Sequence, residues 1–189
     1  MASALIGDYK DALVEALRSF VCCKDSDVQD FLNTKAITFE KRGWATTYLL
    51  LSQEKFDQNI LRVEGYFSLT HKAVIFDSEV SLSSRNKIAG NKRAQTESFV
   101  LIGQLGKRME LIDGRICSSD LTATDLLDDA MSVIEHSSEY IVSRNVIIEC
   151  KPIEKVRTIY EQFGFTDLQF DKSEGLHTLY LKLENKIIF

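Results

Sequence analysis

The residues with the clearest potential for chemistry lie near the C-terminus, in the run from Ile159 to Phe165. Tyr160 stands four residues before Gly164, and the run is typical of a helix end, a tight glycine turn and a return to apolar structure. A strand-like run from Asn145 to Cys150 precedes that helix and carries Glu149. Phenol and carboxylate groups both transfer protons in active sites. This part of the chain therefore offers candidates for acid–base chemistry.

The composition is that of an ordinary globular protein. The 189 residues are 44% hydrophobic and 27% charged, and a chain of this length buries about 70% of its unfolded surface. We expect a single domain over residues 1–189. No apolar run approaches the ~20 residues that span a bilayer, and the N-terminus lacks the basic start and long apolar core of a secretory signal. We therefore expect a cytoplasmic protein that does not contact a membrane.

The cysteines and the charge exclude some functions. Cys22, Cys23, Cys117 and Cys150 lack the spacing of a metal site, so we expect free thiols and no metal. A net charge of −5 argues against a general nucleic-acid-binding protein. Basic residues nevertheless gather between Arg85 and Arg93, with no acid among them. They form either a patch for an anionic partner or a solvated loop.

Hydrophobic periodicity and turn residues predict the element order ααβββαβαββ. This order indicates one domain of the α/β (α+β) class, with a sheet that is largely antiparallel and partly parallel. The predicted helices are Asp8–Cys22, a helix capped by Asp25 and closed by Gly43, Thr122–Tyr140, and one from Pro152 to Phe163. The predicted strands are Thr46–Leu51, Ile60–Thr70, Ser98–Leu105, Val146–Cys150, Leu168–Phe170 and Leu176–Leu183. Residues 81–95 are predicted as a loop or short helix, residues 108–117 as a connection with a turn at Asp113-Gly114, and Gly65 as a bulge.

The C-terminal part of the chain has a strand, a short helix with Tyr160, the sequence Phe163-Gly164-Phe165 and a further strand, in that order. It resembles the closing half of the GNAT N-acetyltransferases. These enzymes transfer acetyl from acetyl-CoA to an amine. The resemblance covers roughly Asp25 to Leu183. It implies a GNAT-like domain with two N-terminal helices and a mixed central sheet that contains a splayed pair of parallel strands. It also implies acetyl-CoA as the co-substrate and no metal.

The resemblance assigns the strand Phe99–Lys107 to the pantetheine arm of coenzyme A. In the family, this strand splays from its neighbour, and its free backbone groups hold the arm. The implied cofactor contacts are the backbone groups around Leu105, Gly106 and Lys107. A backbone N–H near Leu105 would then polarise the thioester oxygen, as in an oxyanion hole.

The pyrophosphate loop of the family is matched only in part. Alignment on Leu126-Leu127 places Ser118, Leu121 and Ala123 at the family's Arg or Gln, first Gly and final Gly or Ala, and only Ala123 matches. Backbone N–H groups at a helix N-terminus still bind phosphate, whatever the side chains. The implied phosphate contacts are Thr122, Ala123, Thr124 and Asp125. The alternative is an ordinary helix N-terminus, capped by Asp120 or Thr122, with no ligand.

Proton transfer is assigned only in part. Tyr160 matches the family tyrosine that protonates the departing CoA thiolate; the alternative is a half-buried tyrosine with a solvated hydroxyl. An amine acceptor must lose a proton before attack, and Glu64, Glu97 and Glu149 are the candidate bases, with Glu149 beside the expected cleft. Ile153 stands where the family often has an asparagine that contacts the cofactor.

The leading hypothesis is an N-acetyltransferase in which the amine attacks acetyl-CoA directly. Its acceptor would be a small molecule, a peptide or a protein amine, selected by the N-terminal helices and the loop at 81–95. The acidic net charge argues against tRNA or another nucleic acid, although the basic residues of that loop keep this alternative open. The second hypothesis is a degenerate GNAT-fold binding module, with or without acyl-CoA, and the third is a generic α+β domain. The family often forms dimers, so a homodimer also stays open.

Overall fold

The computed structural model describes residues 2–137 and 145–183, without the side chains of residues 2–9. The chain forms two compact units. The first unit contains residues 2–68 and 104–127, and the second contains residues 69–103 and the described residues from 128 to 183. No helix in the described ranges is long and apolar enough to cross a membrane.

The helices follow the predicted order. Asp25 caps the second predicted helix, because its Oδ1 accepts hydrogen bonds from the N–H groups of Asp27 (3.0 Å) and Val28 (3.3 Å). This helix contains a π-helical segment, which the sequence did not predict. The helices are α1 (Ala2–Arg18), α2 (Ser26–Asp30), the π segment (Phe31–Lys35), α3 (Ala36–Lys41), α4 (Gln53–Phe56), α5 (Leu82–Ala89), α6 (Ala123–Ser137) and α7 (Glu154–Phe163).

A six-stranded sheet has the strand order β1-β2-β3-β6-β8-β7. β3 and β6 are parallel, whereas β6 with β8 and β7 with β8 are antiparallel, so the predicted mixed sheet is confirmed. A second sheet has two strands, β4 and β5. The strands are β1 (Thr46–Leu51), β2 (Val63–Ile75), β3 (Thr96–Lys107), β4 (Met109–Ile112), β5 (Arg115–Ser118), β6 (Asn145–Cys150), β7 (Thr166–Asp171) and β8 (Leu176–Lys182).

The parallel ladder between β3 and β6 is short. It joins Val100–Ile102 to Val146–Ile148. Beyond this ladder β3 continues to Lys107 and β6 continues to Cys150, without further pairing to each other among the described residues. The two parallel strands therefore part after Ile102 and Ile148, as the resemblance implied.

The structure corrects the predicted connection at residues 108–117 and decides between the alternatives given for residues 81–95. Residues 109–118 form the hairpin β4–β5 around the predicted Asp113-Gly114 turn, since cross-strand pairing stabilises strands too short to give a periodic signal. Residues 81–95 contain α5, so the predicted short helix is confirmed, and Arg85 on it is buried. Its guanidinium group donates to the carbonyl groups of Asp77 (2.7 Å), Val80 (3.0 Å) and Ala94 (3.0 Å). Arg85 therefore supports this segment and is not part of a surface patch.

Several predicted boundaries move. β2 begins and ends later than the predicted strand Ile60–Thr70. α7 begins at Glu154 with Ile153 as the N-cap, so Pro152 lies before the helix rather than in its first turn. The predicted helix end at Tyr140 lies outside the described residues. Each unit has its own apolar core, centred on Phe20, Leu32 and Tyr66 in the first and on Phe99, Ile147 and Tyr180 in the second.

Candidate active site

The end of β3 is tied to the loop before α6 by Lys107. Its Nζ donates hydrogen bonds to the carbonyl oxygens of Ser119 (3.2 Å) and Leu121 (2.5 Å). The C=O and N–H groups of a trans peptide point in opposite directions, so the N–H groups of Asp120 and Thr122 face away from the ammonium. The sequence assigned a role to the backbone of Lys107, but it gave no sign that the side chain would orient the loop.

The N-terminus of α6 is capped from within the chain. The N–H of Thr122 donates to Asp125 Oδ2 (2.6 Å), and the N–H of Asp125 donates to Thr122 Oγ1 (3.1 Å). This is the reciprocal pattern of a capping box. Two of the four donors that the sequence assigned to phosphate are therefore used internally. Ala123 and Thr124 keep the N–H groups that the first turn of a helix leaves without an intrahelical partner.

Asp125 places a negative charge at this helix end. Hydrogen bonds from the backbone and then the side chain of Thr122 lower the pKa of Asp125, and Lys107 adds a smaller effect in the same direction. The carboxylate is therefore ionised at neutral pH. Like charges repel, so Asp125 opposes phosphate at this position. Lys107 partly offsets its charge.

Two glycines allow close approach to β2 and β3. A Cβ atom at Gly65 would lie 2.8 Å from Leu121 Cδ1 and 2.9 Å from Leu126 Cδ2, so the loop and the first turn of α6 pack directly on β2. A Cβ atom at Gly106 would lie 2.2 Å from Val28 Cγ1, because α2 packs on β3. This close approach is a reason for glycine at position 65, where the sequence predicted a bulge.

An open cleft of about 840 Å³ lies in the first unit, beside the loop before α6. Arg62 Nε pairs with Glu64 Oε1 (2.9 Å), and Arg108 Nη1 pairs with Glu110 Oε1 (2.7 Å). The candidate base Glu64 is thus already in an ion pair. Asp120 and Asp125 also line the cleft, so its carboxylates outnumber its guanidinium groups. This charge does not favour phosphate binding.

The candidate base Glu149 is held by a lysine. Lys72 Nζ lies 2.8 Å from Oε1 and 2.7 Å from Oε2 of Glu149. Glu149 is the first residue of β6 beyond the parallel ladder, which ends at Ile148. The third candidate base, Glu97, is half-buried near the start of β3. Among the three, Glu149 is therefore the carboxylate placed where the strands part.

Tyr160 lies in the last turns of α7 and is half-buried. Its ring centroid is 6.2 Å from that of Phe165, in an edge-to-face arrangement. Gly164 has a φ of +114° and ends the helix, and the N–H of Phe165 donates to the carbonyl of Tyr160 (3.0 Å). The predicted helix end and glycine turn are confirmed. Ile153 is half exposed at the N-cap and makes no side-chain capping bond.

Sequence reasoning missed Lys72. A weak signal was present, because Lys72 lies two residues before the buried Val74 and therefore on the same face of β2. A charged residue on such a face needs a partner. The sequence did not reveal which partner, since that depends on the order of the strands in the sheet.

Comparison with protein-family models and with curated proteins gave no match. Solved structures of bacterial toxins match the fold. AtaT in complex with acetyl-methionyl-tRNAfMet has a TM-score of 0.64 at 21% identity, over 88% of this chain and 86% of that one. AtaTR bound with AcCoA has a TM-score of 0.63 at 21% identity, over 88% and 86%. A Tyr→Phe mutant of KacT has a TM-score of 0.65 at 19% identity, over 91% and 90%.

These proteins have the GNAT fold, and the likeness extends over most of both chains. The fold is therefore that of the GNAT class, which confirms the resemblance inferred from the residues around Tyr160 and Gly164. At this level of identity the comparison defines the fold alone.

Proposed function

We propose that this protein is an N-acetyltransferase that uses acetyl-CoA as its acetyl donor. The parting of β3 and β6 after Ile102 and Ile148 carries the proposal, because it leaves backbone groups of β3 without a β6 partner. Those groups suit the amide-rich pantetheine arm. The AcCoA complexes of AtaTR and of an AtaT mutant, which have the same fold, support the same donor.

The reaction needs positioning, polarisation and proton transfer. A backbone N–H near Leu105 donates to the thioester oxygen as negative charge develops on it. Glu149 accepts a proton from the acceptor ammonium, directly or through water, and the free amine attacks the carbonyl carbon. The C–N bond forms and the C–S bond breaks. Tyr160 gives its proton to the departing thiolate and regains one from solvent, while the product nitrogen releases its second proton.

The first turn of α6 is the part of the chain that binds phosphate in this proposal. The N–H groups of Ala123 and Thr124 remain for the pyrophosphate, and the Thr122 hydroxyl adds polar surface. Lys107 contributes positive charge behind the loop. Because Asp125 opposes the phosphates, we expect weaker coenzyme A binding than an uncharged loop would give.

For the acceptor, we propose the α-amine of an aminoacyl-tRNA. The AtaT complex with acetyl-methionyl-tRNAfMet supports this choice, and it reverses the order of acceptors inferred from net charge alone. The exposed residues Lys87, Lys92 and Arg93 in and after α5 offer contacts for RNA phosphates. Since the net charge is −5, we expect RNA binding to be confined to such local basic surfaces and to weaken steeply with salt.

A second candidate is a module that binds a partner but has lost catalysis. The capping box favours it, because the carboxylate of Asp125 already occupies the N–H of Thr122. The two candidates differ in turnover rather than in fold.

Thermal denaturation with coenzyme A and turnover with acetyl-CoA separate them. Coenzyme A at 100 times its dissociation constant stabilises a protein by about 2.7 kcal/mol, which raises the Tm of a protein of this size by roughly 5–11 °C. We expect this shift, together with acetylation of aminoacyl-tRNA but not of deacylated tRNA. A shift without turnover on tRNA, peptide or small-molecule amines would favour the binding module. Neither a shift nor turnover would refute both.

Replacing Tyr160 with phenylalanine tests the proton donor. We expect turnover to fall by about 10²-fold or more, the usual contribution of an acid–base group, with the coenzyme A thermal shift retained. Tyr48→Phe is the matched control, since Tyr48 is another half-buried tyrosine and stacks on Phe67 in the first unit. Unchanged turnover in Tyr160→Phe would remove Tyr160 from the mechanism.

A further inference from the structure

The ion pair between Lys72 and Glu149 reaches across a strand. Lys72 lies on β2 and Glu149 on β6, and β3 lies between these two strands in the sheet. Neighbouring strands are about 4.8 Å apart, so the two backbones are separated by roughly 10 Å. The ammonium nevertheless bonds both carboxylate oxygens, at 2.8 and 2.7 Å. Both side chains must therefore extend over the same face of β3.

β3 has a glycine at the level of this crossing. Ile102 is paired with Ile148, so the next residue of β3, Gly103, comes level with Glu149. Residues that are level in neighbouring parallel strands share a face of the sheet. A side chain at position 103 would project onto the face where the ion pair lies. Glycine leaves this path open. The space that the ion pair needs is therefore a steric reason for glycine at position 103, which the sequence alone did not provide.

The ion pair is located where the main-chain support of β6 becomes one-sided. Up to Ile148, β6 is paired with β3 on one side and with β8 on the other. Among the described residues, Glu149 is paired with Thr178 of β8 and has no ladder partner on β3. A side chain at such a point needs another restraint if its carboxylate is to keep one position. Lys72 is 37% exposed and Glu149 is 18% exposed, and ion pairs this accessible contribute little to stability.

We propose that Lys72 is a positioning residue that fixes the Glu149 carboxylate over β3, where the acceptor amine arrives. This inference rests on the proposed acetyl transfer. A carboxylate has about four lone-pair positions, so one ammonium leaves some of them for the acceptor. Glu149 binds the acceptor ammonium and receives its proton, whereas Lys72 touches neither substrate.

The test compares steady-state kinetics of Lys72→Met and Lys72→Arg with those of the wild type. We expect Lys72→Met to lower kcat by about 10- to 100-fold, since a misplacement of about 1 Å costs up to 10²-fold. The KM for acetyl-CoA should not change. Lys72→Arg should restore most of kcat, because a guanidinium group binds both oxygens of a carboxylate. Lys182→Met, which removes an exposed lysine of β8, is the matched control and should behave as the wild type.

A double-mutant cycle separates positioning from general damage to the fold. In a Glu149→Gln background, we expect Lys72→Met to have less than about a twofold further effect, because the two residues act as a unit. If the losses of kcat caused by Lys72→Met and Glu149→Gln multiply in the double mutant, the inference is overturned. A wild-type kcat in Lys72→Met would also overturn it. If Lys72→Met does not fold, Lys72→Gln and Lys72→Arg carry the comparison. A wild-type protein without any transfer activity would refute the proposed function and this role together, whereas an active wild type with an indifferent Lys72 would refute this role alone.

Discussion

The contact between α2 and β3 gives a sharp prediction about packing. A Cβ atom at Gly106 would lie 2.2 Å from Val28 Cγ1, whereas carbon atoms in contact are about 3.5–4.0 Å apart. Gly106→Ala therefore creates an overlap of more than about 1 Å. Valine has little freedom at χ1, and the carbonyl of Val28 also accepts a hydrogen bond from the Tyr66 hydroxyl (2.6 Å). The clash must therefore displace the backbone of α2 or β3.

The cost follows from the size of this overlap. Overpacking a protein interior costs about 1–3 kcal/mol, and the stiffness of Val28 places this case near the upper end. For a protein of this length, 1 kcal/mol changes Tm by roughly 2–4 °C. We expect Gly106→Ala to lower Tm by about 6–12 °C. Val28→Ala removes the methyl group that the new Cβ meets, so the double mutant should regain most of the loss caused by the clash.

Thermal and urea denaturation of the wild type, the two single mutants and the double mutant measure this coupling. A coupling of about 1–3 kcal/mol in favour of the double mutant is expected. Gly106 was also assigned to cofactor binding through its backbone, which alanine retains. The double mutant should therefore keep the coenzyme A thermal shift. Strictly additive losses of Tm, or a wild-type Tm for Gly106→Ala, would show that α2 and β3 do not approach as described.

Three further predictions concern the loop before α6. Lys107→Met removes the donor that holds two loop carbonyl groups, at a cost of roughly 1.5–3 kcal/mol. We expect it to weaken coenzyme A binding by about tenfold or more, as measured by calorimetry. An unchanged Kd would contradict the role of Lys107 in holding the loop. Asp125→Asn keeps an oxygen for the N–H of Thr122 but removes the negative charge that repels phosphate. Coenzyme A should therefore bind about fivefold more tightly at low salt, with a smaller gain at high salt. No gain at low salt would refute the repulsion. The pKa of Asp125 is lowered in the folded state, so its capping bonds stabilise the protein above the unfolded-state pKa of about 3.9. This stabilisation is lost as the pH falls through the folded-state pKa, so the Tm of Asp125→Asn should fall less steeply below about pH 4 than the Tm of the wild type. Parallel curves of Tm against pH would contradict this.

Local sequence patterns were sufficient to predict the helices and strands whose formation depends on residues close together in the chain. Tyr160 and Gly164 predicted a helix end, because a glycine with positive φ is a local requirement. The apolar runs of β3 and β6 predicted buried strands, and the order of the elements indicated that part of the sheet is parallel. The hairpin of residues 109–118 escaped detection, because its short strands carry exposed apolar residues such as Leu111 and Ile116.

The unpredicted parts of the site depend on contacts between distant segments. Lys72 meets Glu149 only because β2, β3 and β6 are consecutive in the sheet, and strand order is a property of the whole fold. Arg85 looked like a surface charge until its carbonyl partners were known. Lys107 is a third example, since its partners lie beyond the intervening hairpin. Composition and periodicity describe each segment by itself and therefore do not identify these partners.

The hydrogen bonds from Lys107 at the end of β3 show why a sequence motif can miss the loop before α6. Glycine-rich motifs describe loops that bend without help from elsewhere in the chain, because glycine adopts conformations that other residues avoid. Here Lys107 gathers the carbonyl groups of Ser119 and Leu121, the latter fourteen positions downstream, so the bend does not depend on glycine at those sites. A search pattern that pairs a strand-terminal lysine with a later helix start would detect loops that a glycine pattern passes over.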